Sequence, residues 1–339
     1  MINNVTSGNG SGRVLYLDYL RVIATIAVIF IHVFSKGYVI GLGSYNWYLN
    51  VIGDSLVRWA VPAFFMISGA LFLNPEKDVT LKDILRKYIP RIAVAYVFWW
   101  VFYSAFFITG DWFRSGEFVS KWLKPHVHLW FLPMLIGVYL LIPLLRKIAA
   151  DEKILRYSLI LWTICIFGSF VFEDVFTQIT DLFKLAPLIG YAGFFLLGRY
   201  LSITSFDRRQ RVVIYIVGII GALIGVGGNL IVSLQKGVVD YMFLNYLSPH
   251  VLLMAMAVFV FVKEHADKWS KRFTEYVRND LFGIYLVHFI WLSIINQEVV
   301  RDMCNQIVTL PVITVLIFVL SLYTTKLIRL IPVLRNVVR

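Results

Sequence analysis

The sequence predicts an all-α polytopic membrane protein, a bundle of about ten transmembrane helices with both termini cytoplasmic. Three observations predict it. Of 339 residues, 59% are hydrophobic and only 15% charged, with a mean hydropathy of +0.77, outside the range of soluble domains. Apolar runs able to cross about 30 Å of hydrocarbon recur along the whole chain. They fall near 15–36, 48–73, 88–108, 127–148, 155–173, 185–203, 212–233, 243–263, 280–297 and 307–331. Basic residues then alternate between rich and poor loops. An inner N-terminus places 23 Lys and Arg inside and seven outside, the positive-inside bias.

Short loops leave no room for a separate soluble domain. Residues 14–332 therefore read as one transmembrane domain, between a disordered cytoplasmic tail (1–13) and a cytoplasmic C-terminal tail (333–339). The first tail lacks a charged n-region and a small-residue cleavage site, so span one reads as a retained signal anchor. Topology and anionic lipid account for the basic pI of about 9.6, and no nucleic-acid partner is expected. Cys165 and Cys304 are not expected to pair, and neither belongs to a metal-ligand spacing, so no metal is expected.

Span one carries the strongest functional signal. Asp18, Arg21, Thr25 and His32 interrupt an aliphatic run and fall on a stripe roughly 60° wide at ~100° per residue. Arg21 and His32 are nearly eclipsed and about 16 Å apart along the axis. A charged side chain near the bilayer centre costs on the order of 2.5–3.5 kcal/mol, so the stripe reads as the wall of a pore or cavity.

Span two holds Asp54 and Arg58, an i,i+4 pair that shares a face roughly 80° wide with Phe65 and Ser68. Two readings stand: an internal ion pair that eases insertion, or a guanidinium facing an outward cavity. Arg86, Lys87 and Arg91 open span three at the cytoplasmic surface, with Pro90 in its first turn. Such residues serve as topology anchors, or as a phosphate clamp. Span four begins with His128 and Trp130 and continues to Tyr139 and Pro143; span nine holds Asp280, Tyr285 and His288. Three histidines thus lie at or within spans.

Four stretches together resemble the acyltransferase-3 family of integral membrane acyltransferases. They are Leu17-Asp18-Tyr19-Leu20-Arg21 with ten residues before His32; Val61-Pro62-Ala63-Phe64-Phe65-Met66-Ile67-Ser68-Gly69; His128-Leu129-Trp130-Phe131-Leu132 with Tyr139 and Pro143; and Phe282-Gly283-Ile284-Tyr285-Leu286-Val287-His288. The resemblance implies transfer of an acyl group, usually acetyl from acetyl-CoA, to a hydroxyl on an extracytoplasmic carbohydrate. The family's basic pair at the third helix reads Arg-x-x-Arg; Arg86, Lys87 and Arg91 depart from that spacing. The fused extracellular hydrolase-like domain of some relatives is not expected here.

The resulting hypothesis docks the phosphates of acetyl-CoA, or another acyl-CoA, against Arg86, Lys87 and Arg91. The pantetheine arm passes Arg21 and brings the thioester to His32. His32 acts as general base on the acceptor hydroxyl, with a covalent acyl-His as the variant. Arg58 or His128 holds the acceptor or the developing oxyanion. Asp18 pairs with Arg21, while Asp54, Ser68, Trp130, Tyr285 and His288 line the cavity. Trp47, Trp112 and Trp122 stack on a sugar or anchor to lipid. No cofactor is expected to bind tightly. The expected partners are the acyl-CoA donor, the carbohydrate acceptor, the bilayer of the plasma membrane and cell-surface polymer synthesis proteins. The alternative is a transporter, flippase or exporter of a polysaccharide precursor, using the same buried charges as a substrate path.

Overall fold

The computed structural model describes residues 14–39, 41–107, 128–172, 186–295 and 305–338. The tail 1–13, Trp112, Trp122 and Cys304 lie outside the described residues. Among the described residues seven helices are long and apolar enough to cross a membrane, or eight when one bent pair counts as a single span. The helices are α1 (Leu15–Ser35), α2 (Tyr45–Val57), α3 (Ala60–Phe72), α4 (Ile89–Phe106), α5 (Phe131–Leu140), α6 (Ile142–Ala150), α7 (Glu152–Val171), α8 (Ala186–Ile203), α9 (Arg208–Lys236), α10 (Pro249–His265), α11 (Lys271–Val277), α12 (Leu281–Ile294) and α13 (Gln306–Leu330). Every expected span falls on one or two of them. At 14 residues, α12 is shorter than the spanning length, about 20 residues. The structure thus carries the all-helical membrane fold, with seven or eight candidate spans where about ten are expected.

Three of these spans are not the straight helices that hydropathy suggests, and a proline explains each case. Pro62 has no N–H for the Arg58 carbonyl and its ring crowds it, so the second span breaks between α2 and α3 at Arg58-Trp59. Pro143 does the same to Tyr139, and α5 meets α6 at 57°. Pro90 faces the Arg86 carbonyl, and the chain relaxes into a π-helical turn over Ile84–Tyr88 ahead of α4.

The centre of the bundle is α1, which packs against α2, α3, α10, α12 and α13. Some 72% of its most apolar stretch is buried, against 22–28% for the third, fifth and seventh-expected spans. Of its polar stripe, Asp18 and Thr25 are buried within the bundle, while Arg21 and His32 at the two ends are half-buried.

Small residues let α3 and α8 approach closely. A Cβ on Gly69 would stand 2.0 Å from the Phe195 carbonyl oxygen, and one on Gly198 would stand 2.0 Å from that of Met66. Backbone cannot yield as a side-chain tip can. Gly69→Ala or Gly198→Ala is expected to cost on the order of 1–3 kcal/mol, read as a lower unfolding temperature in detergent. Gly227→Ala, whose Cβ meets nothing within 4 Å, should be neutral or slightly stabilising. Equal behaviour of the three variants would contradict the close approach.

The segment read as a C-terminal tail packs back onto the bundle. Trp99 Nε1 donates to the Val337 carbonyl at 2.9 Å, and Val337 and Val338 are buried. That contact fixes Trp99, whose ring lies 5.6 Å from Tyr103, so the segment supports the wall behind the histidines.

Candidate functional site

Two polar clusters sit at opposite ends of α1. At its C-terminal end three imidazoles converge from three elements. Ring centroids of His32 and His288 are 5.3 Å apart, those of His128 and His288 5.3 Å, and those of His32 and His128 6.4 Å. His32 is half-buried, whereas His128 and His288 are enclosed. The turn before α5 places His128, and aromatic contacts hold its ring. It stacks on Phe289 at 4.8 Å and 9°, with the Tyr103 ring edge-on at 4.8 Å. Tyr103 donates to the Leu286 carbonyl at 2.6 Å, and Tyr285 donates to the His128 carbonyl. The Tyr285 carbonyl in turn receives the Nδ1 proton of His288. Tyrosine hydroxyls thus tie α4, α5 and α12 around the three rings. Among the described residues no group of three or more His, Cys, Asp or Glu is arranged to hold a metal ion.

Beside the histidines, Arg58 at the end of α2 sits in a buried polar cluster. Asp54, wholly buried, accepts from Arg58 and from Tyr38. Arg58 also donates to the Leu244 carbonyl at 3.2 Å and lies 5.2 Å from the Tyr246 ring centroid. Trp130 stacks on Tyr246 at 5.7 Å and 21°, joining this cluster to the strand of chain that carries His128. Both rings are half-exposed. Asp54 Oδ1 and Arg58 Nε have no hydrogen-bond partner among the described residues.

At the N-terminal end of α1, Arg21 pairs with Asp18 at 3.0 Å, one turn away, and keeps a third of its side chain exposed. Lys77 stands close to it. Burial, and then the neighbouring Arg21 guanidinium, hold the Lys77 ammonium below its ordinary lysine range. Arg146 holds the loop that carries Lys77, donating to the carbonyls of Phe72 (2.6 Å), Asn74 (3.1 Å) and Lys77 (2.9 Å). The Tyr139 hydroxyl faces Ser68 and lies within electrostatic range of both Arg21 and Arg91. Arg199 lies within range of Arg146, Glu76 and Tyr16. Such a gathering of cations attracts a polyanion such as a nucleotide phosphate.

The expected site residues therefore divide. His32, His128, Tyr285 and His288 come together; Asp54, Arg58 and Trp130 form the adjoining cluster; Asp18, Arg21, Ser68 and Arg91 gather at the other end. Arg86 and Lys87 lie on the exposed π-turn, with the Lys87 ammonium 5.5 Å from the Tyr88 ring. Lys77 and Arg146 are among the 23 basic residues counted as inner by the topology reading, and Tyr246 carries no sequence signal. For Lys77 and Arg146, chain spacing gives no signal; only the folded loop, held by Arg146, brings Lys77 to Arg21. Along the stripe between the two ends, Thr25 and Val28 are 2% and 6% exposed, so the middle of α1 is closed by packing.

A family model described as an acyltransferase domain matches residues 14–326. No curated protein and no solved structure matches the chain significantly.

Proposed function

This chain belongs to the acyltransferase-3 family and is by that membership a membrane acyltransferase, and from this premise we propose that it moves an acetyl group from cytoplasmic acetyl-CoA to a hydroxyl of an extracytoplasmic carbohydrate. The observation that carries the reading is the polarity of α1: cations gather at one end of a single buried stripe and imidazoles at the other. A donor made in the cytoplasm carries phosphates; an acceptor on the cell surface carries a hydroxyl that needs a base. The reading puts the chain in the plasma membrane, both termini cytoplasmic, beside proteins that build the surface polymer.

In this reading the CoA phosphates meet Arg91, Lys77 and Arg21, with Arg86 and Lys87 at the approach. The acceptor lies against Trp130 and Tyr246, its hydroxyl at His32. As oxygen bonds to the thioester carbon, its proton passes to His32, and the oxyanion that forms lies near Arg58. The C–S bond then breaks and the CoA sulfur leaves with the proton that His32 returns. Because Thr25 and Val28 close the stripe, the acyl arm passes only when neighbouring helices part.

The test is acetyl ester on the isolated surface glycan, measured after mild base release, with and without this chain. Loss of ester on deletion supports the reading, whereas a transporter of the same precursor leaves esterification of exported glycan intact. For the donor site, Arg91→Ala and Lys77→Ala are each expected to weaken acetyl-CoA binding by about tenfold, the loss of one charge-assisted contact. An Arg86/Lys87/Arg91 triple-alanine variant with wild-type affinity would return those residues to topology alone.

A further inference from the structure

The three histidines are not equivalent. His288 is wholly buried, and its Nδ1 meets the Tyr285 carbonyl one turn back on α12. A carbonyl only accepts, so Nδ1 carries the proton and Nε2 of the neutral ring presents a lone pair. That Nε2 is buried without a hydrogen-bond partner among the described residues, a condition rare in folded proteins. Two imidazoles stand at 5.3 Å from it, centroid to centroid, and their orientations differ. The His128 ring is clamped between Phe289 and Tyr103 and stands at 75° to His288. The His32 ring is half-buried and tilted by only 34°. At this separation a rotation of the His32 ring can bring one of its nitrogens to roughly 3 Å from His288 Nε2, the length of a hydrogen bond.

We propose that His288 is a positioning residue for His32, its Nε2 accepting one ring N–H of His32 so that the other, bare nitrogen faces the acceptor hydroxyl. The proposal rests on the reading of His32 as the base. The hydroxyl proton passes to that bare nitrogen while the new C–O bond forms. The resulting imidazolium keeps its second N–H on His288, and the departing thiolate takes the transferred proton back. No proton is gained by His288, and charge balances at each stage. The Tyr285 carbonyl locks the tautomer that makes this acceptance available, which ties Tyr285 to the same task.

His288→Gln and His288→Met test it, because the two side chains match in length and volume, while glutamine offers a strong oxygen acceptor and methionine only a weak thioether. With purified protein, acetyl-CoA as donor and isolated surface glycan as acceptor, His288→Met is expected to lose roughly 10²-fold in kcat at unchanged KM for acetyl-CoA. His288→Gln should stay within about tenfold of wild type. Full activity of His288→Met, or equal losses in both variants, would overturn the proposal in favour of packing. Wild-type protein with ¹⁵N-labelled histidine gives a test that needs no variant to fold. His288 must show a protonated Nδ1 and a bare Nε2 coupled to a His32 proton; a proton resident on Nε2 overturns the assignment. His32→Ala at full activity would instead sink the reading of the base itself, whereas an inactive His32→Ala beside a fully active His288→Met sinks only the pairing.

Discussion

Replacing His32 with alanine is expected to lower acyl transfer by roughly 10²–10⁴-fold while the amount of folded protein in the membrane stays unchanged. The size follows from the chemistry: an alcohol that keeps its proton is a poor nucleophile, and a positioned base supplies about that factor. Unchanged folding follows from placement. His32 is half-buried at the end of α1, whose packing against its neighbours is carried by residues such as Leu20, Ala24 and Ile29, each at 0% exposure. Base-labile ester on the surface glycan, normalised to membrane protein, is the readout. Ester at the normal level in His32→Ala would remove this residue from the mechanism.

Asp54→Ala should be the most damaging single change to stability, costing about 3–5 kcal/mol. The carboxylate is wholly buried and satisfies both Arg58 and the Tyr38 hydroxyl; its loss strands a guanidinium in a site with few other acceptors. Unfolding in detergent, followed against temperature, measures the cost. An Asp54→Leu/Arg58→Met pair should recover most of it, since apolar replacement of a buried ion pair is often neutral or better. If Asp54→Ala unfolds at the wild-type temperature, the pair does not hold the break together. Recovered stability without recovered ester would assign Arg58 to acceptor binding.

Much of this was legible in the residues. The apolar runs placed the helices because lipid leaves little choice of backbone. The eclipsed spacing of Arg21 and His32 placed them on one face of α1 because 3.6 residues per turn is a local property. Pro62, Pro90 and Pro143 carried a further signal that hydropathy alone does not register, and each marks where its span breaks or unwinds. What the chain could not disclose is non-local. His32, His128 and His288 are far apart in sequence, and their approach depends on three elements packing at once. Lys77 and Arg146 look like ordinary inner-surface lysine and arginine until the loop after α3 folds over Arg21. The division of Asp54, Arg58 and Ser68 between two ends follows from their axial separation, about 15–21 Å at 1.5 Å per residue, which a helical wheel does not show.

The central claim is that donor and acceptor meet one stripe of α1 from opposite sides of the membrane, cations first and imidazole last. Sealed vesicles of defined orientation test it directly: radiolabelled acetyl-CoA is supplied only from outside, and label on the glycan is counted. Inverted vesicles, which in the proposed orientation present the Arg21 end to the medium, should label the enclosed glycan. Right-side-out vesicles, which in that orientation present the His32 end, should not. Equal labelling in both orientations, or labelling only in right-side-out vesicles, would contradict the account.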